Sequence, residues 1–154
     1  MRSGKRFVAA ILAALLCAAV TGAANAIEKT GFTLESSGGE SVSLGRFTGT
    51  HPVLLVFWAT WCPHCNAAVP EINEIQARMA GRLKILALNY MENRQKVTAF
   101  MKAKSVAYPV LLDIDGKVAR SYGIVGIPTY VVLDRQGKVV YFDNELPPSL
   151  EKYL

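Results

Sequence analysis

The chain has 154 residues, of which 51% are hydrophobic and 19% charged, enough for one domain with a core and too few for two. This composition excludes a disordered protein. The net charge of the whole chain is +5. Three basic residues, Arg2, Lys5 and Arg6, lie in the first 26 residues, which contain no acidic residue. Residues 27–154 therefore keep 14 of the 17 basic residues against 12 acidic ones, a net charge of +2. With no Lys/Arg cluster, this domain is not expected to bind nucleic acid or a membrane surface.

The first 26 residues have the layout of a secretory signal peptide. A basic start is followed by a charge-free apolar run over residues 7–20, and Ala24-Asn25-Ala26 has the small-x-small form of a cleavage site. The apolar run is shorter than the roughly 20 residues that cross a bilayer. We predict that residues 1–26 are removed and that residues 27–154 form the exported domain. The alternative is an uncleaved anchor, which would make the protein membrane-associated.

The rest of the chain shows alternating strand and helix patterns, with no repeat or linker. A continuous apolar run over residues 53–58 is typical of a strand buried on both faces. After the cysteines, apolar residues recur at spacings of three and four, which predicts an amphipathic helix that stops before Gly81. The order of elements predicts an α/β sandwich with a central mixed sheet flanked by helices. The other predicted elements are strands at 33–35, 41–44, 85–88, 110–112, 129–133 and 139–142, and helices at 93–104, 117–122 and 150–154.

Two cysteines, Cys62 and Cys65, lie where the buried strand ends and the helix begins. The free N–H groups and positive dipole end of a first helical turn favour a thiolate on Cys62. Cys65, one turn further on, is placed to attack a mixed disulfide, and Pro63 fits the first turn because its missing N–H costs little there. A structural disulfide is disfavoured because so short a loop restrains the unfolded chain weakly. We predict a redox-active Cys62–Cys65 disulfide in which Cys62 attacks and Cys65 resolves, with no other cofactor.

A different class of function is an exported Cu(I)-binding chaperone, because two thiolates suit that ion. A closed zinc site needs four ligands. No cysteine follows Cys65 and no histidine follows His64. We therefore predict no metal site, and the metal content of the purified, reduced protein distinguishes the two classes.

Two motifs resemble the active site of the thioredoxin fold. Trp61-Cys62-Pro63-His64-Cys65 followed by Pro70 resembles the active-site helix, in which a proline lies eight residues after the first cysteine. Gly126-Ile127-Pro128-Thr129 resembles the cis-proline loop of the same fold. This resemblance implies that Pro63 and His64 tune the redox pair and that Trp61, Ile127 and Pro128 contact the substrate.

Further runs are similar to exported thiol-disulfide oxidoreductases of the TlpA/ResA type. They are residues 108–113, 122–124 and 131–134. Such proteins carry an extra segment inside the thioredoxin-like core, here about residues 89–104. The similarity covers nearly all of residues 27–154. It implies a periplasmic or otherwise extracytoplasmic enzyme that acts on protein dithiols and disulfides. The implied reaction is disulfide reduction, as in cytochrome c maturation. A membrane redox partner would then return the electrons to the enzyme.

Two departures from the family leave the direction of electron flow open. Val56 stands where thioredoxins have a buried Asp, and Ala68 stands where many ResA-like proteins have a Glu. Without either carboxylate, no obvious base is available to Cys65, whereas His64 is placed to stabilise the Cys62 thiolate. A more stable thiolate makes the disulfide a stronger oxidant. A dithiol oxidant similar to DsbA is therefore the alternative within the same class of enzyme.

Overall fold

The computed structural model describes residues 31–154, which contain seven strands and four α-helices. The predicted signal peptide, residues 1–26, lies outside the described residues. Short 3-10 turns lie at Leu44–Arg46 and Glu151–Tyr153. The main elements are β1 (Thr33–Ser36), β2 (Ser41–Ser43), β3 (Val53–Trp58), α1 (Pro63–Ala67), α2 (Val69–Arg78), β4 (Lys84–Tyr90), α3 (Arg94–Ala103), β5 (Val110–Asp113), α4 (Lys117–Ser121), β6 (Thr129–Leu133) and β7 (Val139–Asp143).

The seven strands form one mixed sheet in the order β2-β1-β5-β4-β3-β6-β7. Strands β3, β4 and β5 are parallel, and the other neighbours pair antiparallel. The carboxyl ends of three parallel strands therefore meet at one edge, where ligands bind in open α/β sheets. Because β6 runs antiparallel to β3, its first residues lie at the same edge. The mixed sheet confirms the predicted fold class.

Strand β3 divides the core into two layers. All six of its residues are buried. Alternate side chains point to opposite faces of a strand, so Leu54, Val56 and Trp58 join one cluster while Val53, Leu55 and Phe57 join the other. The first cluster includes Ile72 and Ile75 of α2, Met79 just after α2, and Val97 of α3. The second packs against α4 through Val118 and Ala119. The sheet is covered on both faces, as the apolar run predicts.

The helix predicted after the cysteines is two helices, α1 and α2. They meet at Ala68, which ends α1 and precedes Val69 of α2. Pro70 lies in the first turn of α2, and its ring has no N–H to donate to the preceding turn, so a single straight helix cannot run through it. Gly81 follows α2 with a φ of +79°, the left-handed conformation that ends helices.

Several predicted boundaries differ from the structure by one or two residues. Strands β1, β4, β5 and β7 are longer than predicted, and α3 is one residue shorter at each end. The strand predicted at 41–44 ends at Ser43, because Leu44 opens a 3-10 turn. The helix predicted at 117–122 ends at Ser121. The last predicted helix, 150–154, is only a short 3-10 turn.

The segment between β4 and α4 adds helix α3 and strand β5 to the sheet. The predicted extra segment begins inside β4. Its first two residues, Asn89 and Tyr90, are the last residues of that strand and pair with β5. Asn93 caps α3 through its side chain, which accepts a hydrogen bond of 2.9 Å from the backbone N–H of Lys96. Within residues 31–154 the longest helices have ten residues, and none has the length and apolar content needed to cross a membrane.

Candidate active site

The two cysteines form a disulfide at the start of α1. Cys62 is the N-cap residue and Pro63 opens the helix, as predicted. Both cysteines are buried, at 3% and 4% exposure. The backbone N–H of Cys65 donates to Cys62 Sγ over 3.1 Å. One of the free N–H groups of the first turn is thus aimed at the sulfur of Cys62, which is where it would stabilise a thiolate.

The loop before β6 lies directly against Cys62. The Ile127–Pro128 peptide bond is cis, and the carbonyl oxygen of Ile127 lies 3.6 Å from Cys62 Sγ. Asn144, at the end of β7, donates from Nδ2 to the Pro128 carbonyl over 2.7 Å and to Thr129 Oγ1 over 2.9 Å. The fold therefore brings the two predicted motifs together, although they are more than 60 residues apart. Asn144, which holds the loop in place, was not identified from the sequence.

The remaining predicted residues surround the cysteines on the outer side. Trp61 is 60% exposed, and Pro63 and His64 are exposed on α1. Trp61 and Ile127, which flank Cys62 in sequence and in space, line one groove of about 160 Å³, whereas Cys62 and Pro128 do not line it. The other residues that line the groove are Phe57, Tyr90, Ala119, Ile124, Val125 and Gly126.

The positions of the two missing carboxylates are apolar in the structure. Val56 is 2% exposed and lies in the same cluster as Cys65, and Ala68 packs against that cluster. A different carboxylate, Glu92, is buried at the end of β4, at 7% exposure. Its Oε2 accepts the backbone N–H of Thr60 over 2.7 Å, and its Oε1 accepts the Thr60 hydroxyl over 2.6 Å. Thr60 lies two residues before Cys62, so Glu92 belongs to the surroundings of the cysteine pair.

Sequence reasoning missed Glu92, although a signal for it was present. Asn89 and Glu92 are polar residues that follow the strand predicted at residues 85–88, at the edge of the sheet where the cysteines lie. Polar side chains in that position are candidates for a site at the carboxyl ends of parallel strands. In residues 31–154 no group of three or more His, Cys, Asp or Glu side chains is arranged to hold a metal ion.

Comparisons with known proteins agree over most of the chain. The family described as Redoxin matches residues 23–153. Thiol-disulfide oxidoreductase ResA of Bacillus thuringiensis subsp. konkukian is 31% identical over 130 residues, which cover 82% of this chain and 75% of the relative. Thiol:disulfide interchange protein DsbE of Escherichia coli K12 is 31% identical over 135 residues, covering 79% and 71%. The crystal structure of StoA from Bacillus subtilis has a TM-score of 0.66 at 27% identity, covering 75% of this chain and 87% of that one.

Proposed function

The chain belongs to the Redoxin family and is a thiol-disulfide oxidoreductase, and from this premise we propose that it reduces disulfides of exported proteins through Cys62 and Cys65. The observation that carries the proposal is the disulfide at the start of α1, with the Ile127 carbonyl 3.6 Å from Cys62 Sγ. This arrangement offers a substrate one reactive sulfur beside a strip of accessible backbone. The chemistry requires no cofactor beyond the two cysteines.

The proposed reaction has two exchange steps. In the reduced enzyme the Cys62 thiolate attacks one sulfur of the substrate disulfide, forms a mixed disulfide and releases the other substrate sulfur as a thiolate. The Cys65 thiolate then attacks Cys62 Sγ, so that the enzyme disulfide forms and the second substrate thiolate leaves. Both released thiolates take up protons from water. Two electrons pass from enzyme to substrate, and a membrane-bound dithiol partner returns them.

We assign the surrounding residues to two tasks. The Cys65 N–H stabilises the Cys62 thiolate, and Pro63 and His64 tune its stability further. Trp61, Ile127 and Pro128 hold the substrate, since an extended segment lying beside the Ile127 backbone would pair with it as an added strand. Each exchange needs the sulfurs in line, so holding the substrate segment also orients its disulfide.

The relatives named above support the reaction class. ResA and DsbE are named as a thiol-disulfide oxidoreductase and a thiol:disulfide interchange protein. We extend this to reduction of extracytoplasmic proteins, including apocytochrome c before haem attachment.

Oxidation of dithiols is the second candidate. It is favoured by the apolar surroundings of Cys65 at Val56 and Ala68 and by the N–H that favours the Cys62 thiolate.

The test combines trapping of the mixed disulfide with measurement of the redox midpoint potential. Reduced protein should reduce a peptide disulfide, Cys62→Ser should abolish the reaction, and Cys65→Ser should accumulate the mixed disulfide on Cys62. Equilibration with glutathione buffers should give a midpoint between about −270 mV, as in thioredoxin, and about −120 mV, as in DsbA. Exchange that persists in Cys62→Ser would refute Cys62 as the attacking residue, and a wild-type protein that reduces no disulfide would refute the function. A midpoint close to that of DsbA would assign the oxidative direction instead.

A further inference from the structure

Two acidic side chains, Glu92 and Asp113, are buried within residues 31–154. Capping of a helix accounts for the burial of only one of them. Asp113 accepts the backbone N–H groups of Val118 and Ala119 over 3.2 and 2.8 Å and so caps α4. Its partners lie five and six residues further along the chain. Glu92 instead reaches back 32 residues, to the loop that precedes Cys62.

Four donors converge on the Glu92 carboxylate. Two come from Thr60, one is Asn89 Nδ2 at 2.9 Å and one is Lys96 Nζ at 2.6 Å. An ionised carboxylate only accepts hydrogen bonds, whereas an amide would place an NH₂ group among these donors. Burial alone would raise the pKa of Glu92, but the bonds from Lys96, Thr60 and Asn89 outweigh it and lower that pKa. The group therefore stays charged at neutral pH and does not act as a proton carrier.

Thr60 is held from both sides by this arrangement. Its N–H is bound by Glu92, and its carbonyl oxygen accepts Asn66 Nδ2 of α1 over 3.2 Å. The next two residues are Trp61 and Cys62, and the Cys62 N–H closes the turn by donating to the Ala59 carbonyl over 3.2 Å. The orientation of Thr60 thus sets where Trp61 and Cys62 stand relative to the Ile127 loop.

We propose that Glu92 is a positioning residue for the dithiol centre: by holding Thr60 it fixes Trp61 and Cys62 for in-line attack on a bound substrate. The inference rests on the proposed function and adds no chemical step to it. It also gives the segment between β4 and α4 a part in catalysis, because Glu92 and its partner Lys96 come from that segment. A displaced sulfur is costly, since about 1 Å of misplacement can reduce a rate about 100-fold.

The test uses Glu92→Gln, with Asp113→Asn as the matched control for a buried carboxylate that does not contact the site. We expect Glu92→Gln to lower kcat/KM toward a protein disulfide by about 10- to 100-fold. The pH profile for alkylation of reduced Cys62 should also move to lower pH, because a negative charge near the thiolate has been removed. Asp113→Asn should lose thermal stability and keep the wild-type alkylation profile.

A folded Glu92→Gln protein with wild-type kcat/KM and alkylation profile would overturn the proposal, as would an Asp113→Asn protein that reproduces both changes. If Glu92→Gln does not fold, Thr60→Val removes only the hydroxyl bond, and it should give a smaller loss of kcat/KM; an unchanged value would then count against the proposal. The proposed function fails separately, if the wild-type protein reduces no disulfide. The alkylation profile remains readable in that case, because it requires only the cysteines.

Discussion

Cys62 and Cys65 are buried to the same degree, so exposure does not decide which thiol attacks. Their hydrogen bonding differs, because Cys62 Sγ receives the backbone N–H of Cys65. An N–H directed at a thiolate lowers the pKa of the thiol. We expect iodoacetamide at mildly acidic pH to label Cys62 of the reduced protein first, as read by mass spectrometry of the digested protein. Cys62→Ser should react slowly under the same conditions, and first labelling at Cys65 would reverse the assigned roles.

His64 lies between the two cysteines and is exposed on α1. We propose that, as a donor or a cation, it favours the Cys62 thiolate, and so the reduced form. His64→Ala should therefore make the site more reducing, by about 30–60 mV if the pKa of Cys62 rises by one or two units. Glutathione equilibration of both proteins measures the shift. Half-buried Gln76 on α2 offers a control, since Gln76→Ala should leave the midpoint unchanged. An unchanged midpoint in His64→Ala would remove the histidine from the mechanism.

At the scale of elements, the junction of β4 and α3 makes stability depend on pH. Burial acts to raise the pKa of Glu92, but its hydrogen bonds lower the native pKa below the ordinary value of 4.5. Between the native and ordinary values the unfolded chain binds more protons than the native one, so stability rises with pH there. This contribution is complete above pH 4.5 and is lost as the pH falls through the native pKa.

We therefore expect the free energy of unfolding, from urea titrations between about pH 3 and pH 7, to fall on acidification more steeply in the wild type than in Glu92→Gln. The glutamine has no proton to gain in this range. Parallel curves for the two proteins would show that Glu92 does not contribute to the acid sensitivity.

The elements also differ in how well local sequence predicts them. Strand β3 has the predicted bounds, because a run of six apolar residues has the length of a strand covered on both faces and is too short for a buried helix. The break between α1 and α2 was missed because the apolar spacing continues across Pro70. The pairing of Thr60 with Glu92 was missed for another reason: it depends on which strands are neighbours in the sheet, and local patterns do not give that order. The proximity of Ile127 to Cys62 was expected only through the family resemblance.

At the scale of the whole molecule, the parts of the candidate site gather at one edge of the sheet. The cysteines follow β3, Glu92 follows β4, and Ile127 precedes β6. The strands bring together residues that are far apart in sequence, so the site depends on the integrity of the sheet.

We expect export to remove residues 1–26. Expression of the full chain in a bacterial host with a periplasm should give a mature protein that begins at Ile27 and is released with the periplasmic fraction. N-terminal sequencing and intact mass measure this directly. Ala24→Leu and Ala26→Leu together should block cleavage, because the processing site requires small residues. A wild-type protein retained in the membrane at full mass would support the uncleaved anchor.

The chain has only two tryptophans, and both lie within four residues of Cys62. Trp58 is buried at 3% exposure with its ring 5.2 Å from that of Phe100, whereas Trp61 is 60% exposed beside the groove. A nearby disulfide quenches indole fluorescence, so emission should brighten when the enzyme is reduced. The two indoles also emit at different wavelengths, because one is surrounded by apolar side chains and the other by water. We therefore expect the protein to carry its own optical reporter, in which the blue component comes from buried Trp58 and the red component from exposed Trp61.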